Sequence, residues 1–341
     1  IVSTPNGMNL FYKVWVDAEN KRNSYNIIDV HWSQVPGRDE KWRTETIANT
    51  SEEQFRREFD CEFLGSANTL IAPAKIKSMA FHNPIQSNAG LDMYEKPREG
   101  ATYVVVADVA RGTNNDYSAF ICFDVTTVPY KIVAKYRNNE IKPLLFPNII
   151  SDVAKAYNQA YIMVEVNDIG EQVATALQFD LEYENLIMAS MRGRAGQVVG
   201  GGFSGGKAQL GVRTTKAVKK LGCSNLKQII ETDKLVINDY DLINEFSTFI
   251  LKGQSFEAEE GHTDDLAMCC VLFAWLVEQT YFKELTDDDI RARMFLEQQH
   301  QLEQDMAPFG FVDNGLDDAP TIVDEYGTRW SPVVRSYDSD W

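Results

Sequence analysis

A chain of 341 residues with 44% hydrophobic and 11% aromatic side chains can bury a full core, which excludes a disordered protein everywhere except the tail. No apolar run reaches the roughly 18–20 residues that cross a bilayer. Five cysteines without a C-x-x-C pair read as buried thiols in a reducing compartment rather than as structural zinc, and the four histidines show no ligand spacing. The net charge of −17 argues against nucleic acid only as a sum, because fourteen acids and four arginines fall after residue 283. Between Asn185 and Ile230 there are eight basic residues and no acid, and local sign is what a phosphate backbone meets.

In chain order, "IVSTPNGMNL" has no basic or long apolar leader region. It reads as a strand end followed by a Pro-Asn-Gly turn, as in a piece of a longer protein. Ser51-Glu-Glu-Gln54 has the form of a capping box and opens a helix with Phe55 and Phe59 one turn apart. "FLGSANT" (Phe63 to Thr69) reads as a linker. Strands are predicted near 102–109, 117–125 and 130–137, then a helix at 143–158, a strand at 161–166 and a helix at 170–181. A strand near 186–190 leads into a Gly-rich loop at 193–212. A helix near 224–232 takes Ser224 as its N-cap; the short strand "KLVIN" and a helix at 241–250 follow. The span 264–281 is apolar on most faces, as in a buried helix. A partly helical, acidic tail ends the chain, with the helix near 287–304. The order is that of a mixed α/β architecture, specifically a ribonuclease H-like mixed sheet flanked by helices.

Four acids fall at the tips of these elements. Asp108 lies inside an apolar strand, and Asp116 opens the next strand, which a hairpin would bring alongside. Glu165 interrupts "YIMVEVN". Asp264 and Asp265 begin the last long helix. Taken singly, Asp116 is an ordinary turn residue, and the Asp264–Asp265 pair suits a helix N-terminus. Asp108 and Glu165 are costly to bury without a partner. Gathered together, such carboxylates would raise one another's pKa, and a divalent cation with hard oxygen ligands, Mg²⁺ or Mn²⁺, relieves the conflict. One or two such ions suit phosphodiester cleavage. "GGFSGGKA" (Gly201 to Ala208) nearly matches a phosphate-binding loop, but Ala208 stands where the metal-binding hydroxyl belongs. It reads as a flexible basic loop facing DNA.

The blocks "VADVARGTNNDYSAF", "YIMVEVNDIGEQVA", "LGCSNLKQIIETDKLVI" and "EEGHTDDLAMCCVLFAWL" resemble consecutive blocks of the nuclease domain of the large terminase subunit of tailed bacteriophages, most closely of the large myoviruses. "IVSTPNGMNLFY" resembles the coupling segment of the packaging ATPase of that family, and "EFLGSANTLI" its hinge. The resemblance implies three parts: a remnant of a P-loop ATPase domain with hinge at 1–64, a ribonuclease H-like nuclease at 65–283, and an acidic tail at 284–341. It implies Asp108, Glu165 and Asp265 as catalytic metal ligands, with Asp116 auxiliary and Asp264 a neighbour of the metal. It places ATPase coupling at Ser3 and Thr4. DNA contacts fall to Arg192, Arg194, Lys207, Arg213, Lys216, Lys219 and Lys220. His262 reads as a helix cap rather than a phosphate contact. The implied activity is a Mg²⁺- or Mn²⁺-dependent endonuclease that cuts concatemeric double-stranded DNA at the start and end of packaging. ATP is used only by the intact protein, since Walker motifs are absent here. Implied partners are double-stranded DNA, the portal protein, the small terminase subunit and the N-terminal ATPase domain, without a membrane. The implied location is the host cytoplasm, transiently at the procapsid portal vertex and not in the mature virion. The Gly-rich stretch is longer than the family pattern. A transposase- or resolvase-type enzyme on the same fold is one alternative; a non-catalytic portal-docking module is another.

Overall fold

The computed structural model describes residues 1–5, 7, 9–63, 68–111, 116–191, 197–199, 208–284, 286 and 322–330. The chain forms two units, Ile1–Asp289 and Ile290–Trp341. Arg192, Arg194, Lys207, most of "GGFSGGKA" and the helix expected at 287–304 lie outside the described residues.

Three helices lead the chain, α1 (Leu10–Glu19), α2 (Glu40–Asn49) and α3 (Glu52–Glu58). Ser51 Oγ accepts the Gln54 N–H at 3.1 Å. Gln54 Nε2 donates onward to Glu58 at 3.1 Å, and no bond in which its side-chain oxygen accepts the Ser51 N–H accompanies it, so half of the expected capping box forms. The Phe55 and Phe59 rings lie 5.1 Å apart, with Trp42 against both. Ile1 to Pro5 belong to no strand, contrary to expectation, and among the described residues no strand pairs with them. Val2, Phe11, Trp15, Tyr25 and Ile28 instead line an apolar cavity of about 400 Å³. After α4 (Pro73–Ser78) comes a hairpin of β1 (Gln86–Asn88) and β2 (Leu91–Met93).

The central sheet then forms from β3 (Tyr103–Asp108), β4 (Ser118–Asp124) and β5 (Tyr130–Asn138), followed by α5 (Phe146–Ala156), β6 (Tyr161–Val164) and α6 (Gly170–Thr175). The strand order is β1-β2-β5-β4-β3-β6, with β6 parallel to β3 and the β3-β4-β5 run antiparallel. Alternation along β3 explains its unbroken apolar run. Val104 and Val106 face one core; Tyr103, Val105 and Ala107 face the other. The second core is roofed by α5 and α6. The expected strand near 186 is β7 (Met188–Met191), and it heads a separate small sheet with β8 (Gln197–Val199) and β9 (Ala208–Leu210). The stretch expected as a loop at 193–212 is therefore strand at both described ends.

Next comes α7 (Lys216–Glu231), eight residues longer at its start than expected. Thr215, not Ser224, is its N-cap, accepting the Val218 N–H at 3.3 Å. Gly222 weakens the local helix signal, and tertiary packing explains its presence. A Cβ there would fall 2.5 Å from Val271 O on α9 (Asp265–Val277). Between these two helices lie β10 (Leu235–Val236), α8 (Tyr240–Thr248) and the hairpin β11 (Phe249–Lys252) with β12 (Ser255–Ala258). The helix expected to reach 250 thus stops at Thr248. The expected linker residues Asn68 and Thr69 are not free either. Leu251 N–H donates to Asn68 O at 3.1 Å, and Thr69 pairs with Ile250. Every residue of α9 is buried, and Phe273 stacks on Phe123 of the sheet at 3.9 Å between ring centres. Four of the five cysteines are buried and free. Among the described residues, no helix is long and apolar enough to cross a membrane. In the second unit, β13 (Ile322–Val323) and β14 (Arg329–Trp330) form a hairpin.

A Gly222→Ala variant gains about 1 kcal/mol of helix propensity, but the new methyl meets backbone that cannot rotate away. The expected net result is a loss of about 1–3 kcal/mol, read as a lower urea midpoint. An unchanged midpoint would mean that α7 and α9 part freely.

Candidate metal and nucleic-acid site

The site grows from the parallel pairing of β3 and β6. Their register sets Ala107 beside Val164, and the Glu165 N–H donates to Ala107 O at 2.8 Å. Asp108 and Glu165 are therefore the next rung, at the carboxyl ends of adjacent strands, and their side chains hydrogen-bond each other. Gly170 permits this rung to sit tight under α6, since a Cβ there would overlap Glu165 O at 1.8 Å. Asn167 Nδ2 donates to Glu165 Oε1 at 2.8 Å and fixes the carboxylate.

The third acid comes from α9, which packs across β3 and β4 and begins at Asp265. Burial raises the Asp108 carboxyl well above the usual range, and Glu165, Asp265 and Asp264 raise it further. Burial likewise pushes Asp265 up to about 7, with Arg137 pulling it down and Asp264 and Asp116 pushing it up. Like charges held in a dry site explain both directions. Asp116 is exposed at the lip and felt by Asp265. Asp265 Oδ2 is buried without a hydrogen-bond partner. Asp264 is placed differently: its Oδ2 accepts the Ala258 N–H at 3.3 Å, tying it to β12.

His262 is exposed and does not cap α9, contrary to the expectation from the sequence. Glu245 of α8 does that work from a distance, its Oε2 accepting the Ala267 N–H at 2.8 Å. Burial pushes the Glu245 carboxyl up to about 8, while Arg137 and the Ala267 N–H pull it down. Neither Glu245, Arg137 nor Asn167 carries a sequence signal, since each is an ordinary polar residue in its own segment.

Among the described residues, the acidic group whose oxygens all gather within cation-holding distance is that of Asp92, Asp239 and Asp241. Lys135 already fills it. Its Nζ bonds Asp241 and lies 2.6 Å from Asp239 and 3.6 Å from Asp92, and Tyr94 donates to Asp239. That cluster is a buried ion-pair lock, and it has no unmet need for a metal.

Of the basic residues, Arg213 precedes α7, while Lys216, Lys219 and Lys220 lie in its first two turns at helical spacing. Val166 N–H donates to Val212 O at 2.9 Å, and Asn167 reaches Thr214 O at 3.5 Å. These bonds bring the basic end of α7 beside Glu165. Lys219 is close enough to lower the pKa of Asp264 against the effect of burial. Ser3 and Thr4 are exposed, and Ser3 Oγ donates to Thr4 O at 3.2 Å.

The orphaned Asp265 Oδ2 and the raised carboxyls are what a hard divalent cation would relieve, so the residues present fit such an ion. Without metal, the sign of the pH dependence follows from Asp265. Its folded-state pKa of about 7 exceeds the unfolded value of 3.8, so its contribution is fully present below about pH 4 and is lost as the pH rises towards about 7. In EDTA, Asp265→Asn should therefore gain stability relative to the parent across that window, by an amount on the order of a few kcal/mol. Urea midpoints measured from pH 4 to 8 test this, and a constant difference would contradict it.

Several solved structures are similar to this chain. The large terminase nuclease from thermophilic phage G20c with bound magnesium is 18% identical, with a TM-score of 0.47, and covers 62% of this chain and 97% of its own. The same nuclease with bound cobalt is 19% identical over the same shares, with a TM-score of 0.47. The large terminase nuclease domain of Thermus phage P74-26 is 18% identical over 62% of this chain and 95% of its own, with a TM-score of 0.45. Residues 105–290, more than half of the sequence, match the family described as the terminase RNaseH-like domain. They hold the parallel β3–β6 rung, α7 and α9, and through them this chain belongs to the family of large terminase subunits.

Proposed function

We propose that this chain is the metal-dependent endonuclease of a viral DNA-packaging motor, cutting concatemeric double-stranded DNA when packaging begins and ends. The observation that carries this reading is the rung of Asp108 and Glu165 at two adjacent strand ends, with Asp265 at the helix start near enough to raise the Asp108 carboxyl and its own Oδ2 buried and unpartnered. These three side chains would hold Mg²⁺ or Mn²⁺, as one ion or two. When bound, the metal supplies Lewis-acid polarisation of the phosphodiester and an acidified water. In its absence burial holds the Asp108 carboxyl well above the usual carboxylate range, so loading would favour release of a proton. Asn167 holds the Glu165 carboxylate in one orientation. Asp116 adds negative charge at the lip, and Asp264, one oxygen occupied by β12, is the weaker candidate for a ligand.

Arg213, Lys216, Lys219 and Lys220 would take the phosphate backbone beside the cut, joined by Arg192, Arg194 and Lys207. Such contacts favour weak sequence preference and strong salt dependence. In the longer protein, residues 1–64 would end a P-loop ATPase domain that uses ATP, with Ser3 and Thr4 coupling it to DNA movement. Residues 65–283 would form the nuclease, and residues 284–341 an acidic tail. The portal protein and the small terminase subunit would be its partners, in the host cytoplasm and transiently at the procapsid vertex, outside the mature virion.

Supercoiled plasmid should be nicked with Mg²⁺ or Mn²⁺, not with EDTA, and Asp108→Ala should slow nicking at least about a hundredfold while the protein still folds. A folded parent protein that leaves plasmid intact at low salt in either metal would sink the reading and favour a docking role. A Lys216→Gln/Lys220→Gln double variant should weaken DNA binding and flatten the slope of log affinity against log salt by about 2. Filter binding at several salt concentrations reads it, and a parallel, unshifted slope would remove α7 from the DNA surface.

A further inference from the structure

The mechanism above uses neither Arg137 nor Glu245, although both are largely buried and in contact with each other beside α9. Lys135 and Arg137 project from β5 two residues apart, and so on one face. Asp241 and Glu245 lie one turn apart on α8 and meet them, pairing Lys135 with Asp241 and Arg137 with Glu245. The first pair belongs to the lysine-filled lock. The second brackets Asp265. Glu245 Oε1 lies 3.3 Å from the Arg137 guanidinium, and its other oxygen accepts the Ala267 N–H, two residues after Asp265. The same guanidinium donates to Thr263 Oγ1 at 2.6 Å, two residues before Asp265. It also lies 4.0 Å from the centre of the Tyr117 ring, whose backbone N–H bonds the Asp265 carboxylate.

We infer that Arg137 and Glu245 form a positioning pair that grips the start of α9 on both sides of Asp265 and aims its free oxygen into the metal site. Neither residue touches the reacting atoms. Their placement explains why α9 can begin without a side-chain cap of its own and still hold Asp265 in one place. Both polar contacts leave the guanidinium Nη2, while the guanidinium plane lies 4.0 Å from the centre of the Tyr117 ring, a stacked plane that a lysine ammonium does not offer. Asp241 is not interchangeable with Glu245 here, because it is committed to Lys135. The inference rests on the reading of Asp108, Glu165 and Asp265 as a metal centre.

The test is titration calorimetry of the full chain, freed of metal, with MnCl₂ and no DNA. The proteins are the parent, Arg137→Met, Arg137→Lys, Glu245→Gln and Asp265→Ala, with melting temperatures recorded alongside. In Arg137→Met and Glu245→Gln, Mn²⁺ affinity is expected to fall about 10- to 100-fold. Arg137→Lys should fall between Arg137→Met and the parent. In plasmid nicking the loss should appear in kcat, with KM for DNA unchanged. Parent-like Mn²⁺ affinity in Arg137→Met, or a rise in KM alone, would overturn the inference and make Arg137 a phosphate contact. A parent that binds no Mn²⁺, or binds it equally well after Asp265→Ala, would overturn the metal centre itself and the positioning pair with it. If Arg137→Met fails to fold, Arg137→Lys and Glu245→Gln decide by the same criteria.

Discussion

The burial of carboxyl groups at two paired strand ends and at the start of a helix is the constraint around which the molecule is arranged. Burial is the main reason that the Asp108 and Asp265 carboxyls are raised, and neighbouring acids raise them further. A fold left to relax would turn such groups out to water. Here two parallel strand ends and the first turn of a helix hold them together, and each element is anchored in a core.

Rigidity comes from covering the sheet on both faces. Because α5 and α6 bury one side of β3 and α7, α8 and α9 the other, β3 and its carboxyl end have no room to tilt. Glycines set the closest approaches: Gly170 lets α6 start against the Glu165 carbonyl, and Gly222 lets α7 cross α9 at the Val271 backbone. Larger residues at either place would push apart the elements that carry Glu165 and Asp265. Charged contacts refine what packing sets roughly. The Lys135 lock fixes α8 on β5, and from that seat Glu245 reaches the start of α9.

Electrostatics separates two functions in one acidic chain. The net charge of −17 does not describe the mouth of the site, where Arg213 and the first two turns of α7 bring positive charge beside Glu165 through the Val166–Val212 bond. A phosphate backbone drawn to that helix would pass over the carboxylates. Charge at the approach and charge at the buried acids are therefore opposite in sign.

How much of this was legible differs residue by residue. Asp108 and Glu165 stood out because an acid inside an apolar strand has a local energetic cost that pattern alone reveals. The mixed α/β order was legible for the same reason, since hydrophobic periodicity is a local record of burial. Asp265 rested on resemblance, because an acid at a helix start is ordinary. The start of α7 was misplaced, since Gly222 reads as a weak helix position until Val271 is known to press against it. Asn167, Arg137 and Glu245 were invisible: their roles lie in bonds to Glu165, Thr263 and Ala267, and most of these partners are far away along the chain. The Lys135 cluster would be taken for a metal site from its acids alone, and only the ammonium among them says otherwise. By itself, then, the sequence determined which segments bury and which acids resist burial, because those are properties of neighbouring residues. Only the tertiary structure decided which acids meet, which are already neutralised and what holds them in place, because charges interact through space at distances that chain order does not encode.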